Sequence, residues 1–144
     1  MKHKLLASRP HGRAYFLAFD VDDDVLEALQ QFCELHRVYA ATFSAIGGFR
    51  RATLAYYDMD EKRYEPIAVD EQVEAVSLLG NVALYGGKPR IHAHALVAHR
   101  DGHTSGGHLL GAIVRPTLEL LLEELPASLH RTDRPQIGIP LIDL

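Results

Sequence analysis

The chain carries one cysteine, Cys33, so no internal disulfide can brace it. Its opening, MKHKLLASRP, has no apolar stretch of the kind a secretory leader requires. These two absences point to a reducing, cytoplasmic setting. No apolar run approaches the ~18 residues that suggest a membrane span. In the leucine-rich LELLLEEL, Glu119, Glu123 and Glu124 break the hydrophobicity. Positive charge is also in short supply: the net charge is −4 and the pI about 6.1, so the mean field does not draw the molecule to phosphate backbones. A nucleic-acid role then needs a local basic patch or a partner, and its candidates are Arg50, Arg51, Lys88, Arg90 and Arg100. Common enzyme signatures are missing too. The pairs Gly47-Gly48 and Gly106-Gly107 sit in neither GxGxxG before a helix nor a P-loop, and Ser105 is not in GxSxG.

What is present describes one globular domain. The 144 residues are 47% hydrophobic and 24% charged, enough to bury a sizeable core. The expected division is a core over about 13–125 and an extended tail over 126–144, where Pro126, Pro135 and Pro140 favour loop covering a sheet edge. The run AYFLAF, Ala14 to Phe19, has the composition of a core strand. The acidic DVDDD that follows fails as an EF-hand loop, since Val25 replaces the required glycine and Gln31 the bidentate glutamate. Asp24 as N-cap with Glu27 three residues on instead predicts a helix start.

Val25, Leu26, Leu29, Phe32, Cys33 and His36 then fall on one helical stripe. Cys33 reads as a small buried hydrophobe, and His36 as a helix-end histidine favoured by the dipole. From Ala40 onward short β-branched and aromatic runs alternate with the turn signals DMDEK, GGKP and RDG. In TLELLLEEL, Leu118, Leu120 and Leu122 alternate with Glu119 and Glu123, which favours a strand. The fold class expected is α+β, a mainly antiparallel sheet with one principal helix after the first strand. Glycine pairs inside strands mark bulges or a close approach of backbone, including one from a neighbouring subunit.

Five of the nine histidines fall between Arg90 and Val114. His92 and His94, two apart on a strand, leave the same face with Cα atoms about 6–7 Å apart. His99 has the opposite parity, and His103 lies in a turn. If Arg100-Asp101-Gly102 is a three-residue loop with Gly102 left-handed, His99 faces His103 and His94 faces His108. A two-residue turn slips the register by one and turns His108 away, unless Gly106-Gly107 bulges. With the first register, His92, His94 and His108 make a three-nitrogen corner suited to a divalent transition metal, zinc foremost. The alternative is a packed histidine cluster without metal. Glu119, a carboxylate on an otherwise apolar strand, is a candidate general base or hydrogen-bond acceptor for a histidine.

The segments SAIGGFRRATLAYYD, YEPIAVDEQVEAVSLLGNVAL and HAHALVAHRDGHTSGGHLLGAIV, with the TLEL that follows, resemble the PPC domain, named for plants and prokaryotes. The resemblance runs from about Arg13 to the end of the last strand. It implies an α+β fold, a homotrimer, a site at His92, His94 and His108, and the family's usual label of candidate DNA-binding protein. Plant members pair the domain with an AT-hook built on an Arg-Gly-Arg-Pro core. Here RPHGR, Arg9 to Arg13, holds similar letters in another order. Three roles follow: a trimeric DNA-associated interaction module, a small metal-dependent enzyme or ligand sensor, or a purely structural trimer. In the last, Gly106 and Gly107 would serve subunit packing.

Overall fold

A computed structural model describes residues 1–10 and 12–144, which leaves His11 of the RPHGR run outside the described residues. The elements are β1 (Lys2–Arg9), β2 (Gly12–Phe19), α1 (Val25–His36), β3 (Ala41–Asp58), β4 (Arg63–Val69), β5 (Val73–Tyr85), β6 (Lys88–Ala98), β7 (Thr104–Glu124), β8 (His130–Arg134) and β9 (Ile139–Asp143). The sheet order is β1-β2-β7-β3-β5-β8-β9, with β4 paired to β3 and β6 to both β5 and β7. Because β6 joins β5 to β7 while β3 also joins them, the four long strands form a closed ring of hydrogen-bonded pairs. A closed ring leaves few open edges at its centre.

Two strands are longer than the sequence pattern suggests. SAIGGF and RATLAYY merge into the 18-residue β3, and TSGGHLLGAIV and TLELLLEEL into the 21-residue β7. Their mutual register shifts at three places, between Gly47 and Phe49, between Phe49 and Arg51, and between Thr53 and Leu54. Such irregularities bend a long strand and let it continue in a curved sheet. The alternation in the last strand is as expected: Leu118, Leu120 and Leu122 are buried, while Glu119, Leu121 and Glu123 face outward.

The helix begins where the acidic residues predict. Asp24 accepts a hydrogen bond from the Glu27 amide at 3.0 Å, and Val25, Leu29, Phe32 and Cys33 are buried in the core. Arg37 ends it in the left-handed conformation at φ 54°, and the Val38 amide donates to the Cys33 carbonyl at 2.9 Å. His36 stands in the last turn of the helix, as expected. It packs against His3, Phe32 and Tyr15, and burial lowers its pKa from the ordinary value.

Two ends of the chain depart from expectation. The basic start forms β1, an edge strand on β2 whose Leu5 and Leu6 are exposed, so no alternation announces it. The tail is not mainly loop: β8 and β9 make an antiparallel hairpin, anchored on β5 through Leu84 and His130. Among the described residues no helix is long and apolar enough to cross a membrane.

One ion pair ties strand, helix and sheet together. The Arg13 guanidinium donates to both Glu124 oxygens, at 2.7 and 2.8 Å, and to the His36 carbonyl at the helix end, at 2.9 Å. These bonds hold the Glu124 carboxyl below its ordinary value of 4.5, with the Arg13 side chain the largest cause. Arg13→Met should lower the unfolding free energy by about 1–3 kcal/mol at pH 7, the scale of a lost charged hydrogen bond. A depressed carboxyl stabilises the fold above its unfolded pKa and loses that effect as pH falls through its folded pKa. The gap between wild type and variant in denaturant unfolding should therefore narrow below about pH 4. An equal gap at pH 7 and pH 3 would contradict this role.

Candidate metal centre

The turn between β6 and β7 decides what meets on the sheet. Gly102 takes φ +87°, its amide donates to the His99 carbonyl at 2.9 Å, and the His99 amide donates to the His103 carbonyl at 2.9 Å. A three-residue connection with a left-handed glycine is the result. It places His94 opposite His108, Ala95 opposite Gly107 and Leu96 opposite Gly106.

Ala93, Ala95, Val97 and Leu109 point into the core, so the intervening His92, His94 and His108 stand on the outer face. Their candidate ligand nitrogens lie within 4.8 Å of one another. Ring centroids are 5.2 Å apart for His92 and His94, 5.1 Å for His92 and His108, and 5.4 Å for His94 and His108. A divalent transition metal held by such imidazoles would take nitrogen bonds of about 2.0–2.1 Å.

His108 is fixed from several sides. Its ring stacks on Tyr64 at 4.5 Å with planes 24° apart, and Tyr64 reaches it from β4. Beside it, Gly107 lies so close to β3 that an added Cβ would stand 2.6 Å from the Ala55 carbonyl oxygen. Burial, then the neighbouring His92 and His94 and the cations Arg90 and Arg131, push the His108 pKa down to about 4. His92 is lowered as well, by burial first and then by Arg131 and His94. Both rings are therefore neutral at physiological pH and present lone pairs. The His108 Nδ1 atom is buried with no hydrogen-bond partner among the described residues. Three imidazoles on one face, with the His108 Nδ1 unpartnered among the described residues, match the donor set of a divalent transition metal.

A pocket of about 130 Å³ opens beside the histidines, walled by Tyr64, Arg90, Arg131 and the β9 residues Ile139, Pro140 and Leu141. Arg131 comes from β8 and donates to Asn81 Oδ1 at 2.6 Å, and Asn81 is the cross-strand partner of His92. Burial and then Arg90 lower the Arg131 pKa. The sequence pattern gives no hint of Tyr64, Asn81, Arg131 or the β9 wall, because all four reach the site only through sheet pairing and the folded tail.

Other candidates lie elsewhere. His99 bonds to Glu71 at 2.8 Å and to Ser105 at 3.0 Å, and His103 stacks on it at 3.9 Å while bonding to Asp101. That group borders a separate open cleft of about 470 Å³ with Glu74 and Arg100. Glu119 is exposed on the far part of β7, beside Ile46, Gly47 and Thr117. Eleven strand residues from His108 amount to roughly 35 Å, so within one chain it serves the histidines neither as base nor as acceptor. Gly107 makes its close backbone approach inside the chain, to β3, and Gly106 to Leu96 and Ala95 of β6.

The basic residues do not gather into one patch. Arg50 pairs with Asp22 at 2.6 Å, Arg51 lies beside Asp24, Lys88 and Arg90 sit at one end of β6, and Arg100 follows its other end. Cys33 is buried, and burial pushes its thiol up to about 12, which leaves it unreactive.

Residues 6–126 match the Plants and Prokaryotes Conserved (PCC) domain. The chain belongs to this family. The PCC domain here is similar to a plant- and prokaryote-conserved protein of Pyrococcus horikoshii, with 28% identity, a TM-score of 0.88 and 93% of each chain covered. It is similar to a metal-containing protein of Archaeoglobus fulgidus at 31% identity and TM-score 0.87, covering 100% of this chain and 99% of that one. A candidate DNA-binding protein of Ralstonia eutropha shares 32% identity at TM-score 0.85, over 96% of this chain and 94% of that one. Over 129 residues, 88% of this chain, it is also 30% identical to Bifunctional protein GlmU of a Synechococcus strain, of which it spans only 20%.

Gly107→Ala should destabilise the domain by about 1–3 kcal/mol, the usual range for overpacking against atoms that cannot move aside. Thermal unfolding checks it. A variant as stable as wild type would mean that β3 and β7 separate more easily than their pairing indicates.

Proposed function

We propose that this PCC-domain protein binds one divalent transition metal per chain, zinc foremost, through His92, His94 and His108. The observation that carries the reading is the convergence of three imidazole nitrogens within 4.8 Å on one sheet face. Neutral rings, the unpartnered His108 Nδ1 and the description of the Archaeoglobus fulgidus relative as metal-containing support it. A metal held by three protein ligands keeps a position open for water or another ligand, where it acts as a Lewis acid. The chain's own part would be to fix the rings: the β6–β7 register sets their spacing, Tyr64 holds the His108 ring, and Arg90 and Arg131 line the approach. Such a centre serves either a small metal-dependent enzyme or a ligand sensor.

The centre would sit in a homotrimer. Leu79, the cross-strand partner of His94, is exposed, and so are Leu96 and Leu110 on the same outer face. Apolar side chains grouped beside a site support its burial against another copy of the chain.

A second reading, a DNA-associated assembly, has support from the description of the Ralstonia eutropha relative. With a net charge of −4 and scattered cations, any direct contact would be backbone-directed and should fade between about 50 and 200 mM salt. Fluorescence anisotropy with duplex DNA at low salt, on protein of measured mass in solution, tests it. No binding there removes direct DNA contact.

Elemental analysis of protein purified without a histidine tag tests the metal. About one transition metal per chain is expected in wild type, and none in the variant with His92→Ala, His94→Ala and His108→Ala. Metal retained by that variant, or none in either protein after supplementation, would overturn the site.

A further inference from the structure

The pocket beside the histidines holds cations without matching carboxylates. Arg90 and Arg131 both line it, and neither joins an ion pair among the described residues. Arg131 is half-buried and uses one of its donors on Asn81, while its Nε is buried with no partner. A guanidinium offers five N–H donors in a planar fork suited to two oxygens of one acid group. Two guanidinium groups that face one small space repel each other unless an anion lies between them. At about 130 Å³ the space is well below the ~300–1,000 Å³ of pockets for drug-sized ligands, so it suits an acid group rather than a whole large ligand. The remaining wall, Ile139, Pro140 and Leu141, is apolar and is contributed by the tail hairpin.

We propose that this pocket is an oxyanion subsite, in which Arg131 and Arg90 seat a carboxylate or phosphate group beside His92 and His108. The subsite deepens the reading of the histidines as a metal centre by naming the class of ligand that would approach the open position. Its cationic donors belong to the chain itself, so anion binding and metal binding can be measured apart.

Isothermal titration of the intact protein, metal-free and zinc-supplemented, with inorganic phosphate and separately with sodium acetate, tests the proposal. At least one anion should bind once per chain, and which one binds separates a phosphate from a carboxylate ligand. Arg131→Met should weaken that binding about ten- to hundred-fold in metal-free protein, the scale of a lost charged hydrogen bond, with the fold retained by circular dichroism. Should Arg131→Met fail to fold, Arg90→Gln, at an exposed side chain, should still weaken binding several-fold. No binding of either anion in either metal state overturns the subsite, as does equal binding by folded Arg131→Met, or binding of duplex DNA while neither small anion binds. Zinc retained without anion binding leaves the metal centre standing and removes the subsite. Anion bound by protein that takes no zinc does the reverse.

Discussion

The site depends first on a turn of three residues. Gly102 adopts a left-handed conformation that side chains reach only at a cost, and the two hydrogen bonds between His99, Gly102 and His103 fix the count between β6 and β7. Since side chains alternate along a strand, a slip of one residue would send His108 into the core and bring Leu109 to the surface. Core packing and turn geometry therefore enforce one register, because Leu109, Ala93 and Ala95 are all buried in it. Gly107, with no room for a Cβ beside Ala55, secures the same strand from its other edge.

The ring of strands turns that register into a chemical environment. With the core on one side, the histidines stand on the outside, and only further elements can shield them. Tyr64 comes from β4, and Arg131 and the β9 wall come from the hairpin at the end of the chain. That hairpin is pinned at its margins: Tyr57 donates to the Ile137 carbonyl at 2.6 Å and Tyr85 to Asp133 at 2.8 Å. Partial burial lowers the pKa values of His92 and His108, and the nearby guanidinium groups act in the same direction. A neutral imidazole keeps a lone pair available to a metal, while the neighbouring guanidinium groups favour an anion beside it.

Membership of the PCC family fixes the architecture and leaves the chemistry to the site. One similar structure is described as metal-containing and another as a candidate DNA-binding protein. In this chain three histidine nitrogens converge on one sheet face. The cations proposed for nucleic acid divide among separate places, and two of them, Arg50 and Arg90, have closer engagements with Asp22 and the pocket.

The sequence by itself determined the features that rest on short-range rules. Asp24 and Glu27 set the helix start, the leucine–glutamate alternation set the end of β7, and the Arg-Asp-Gly turn left His94 facing His108 as one of two registers. Each of these is decided by bonds or steric limits within a few residues. Tertiary structure chose between the registers by burying Leu109 and packing Gly107 against β3. It also separated Glu119 from the histidines, joined pairs of apparent strands into β3 and β7, and folded the proline-containing tail into a hairpin. Nothing local marks Arg131 or Tyr64 as neighbours of His108. They meet it because the chain closes a sheet on itself, and the distances that matter to a metal or an anion run across strands rather than along them.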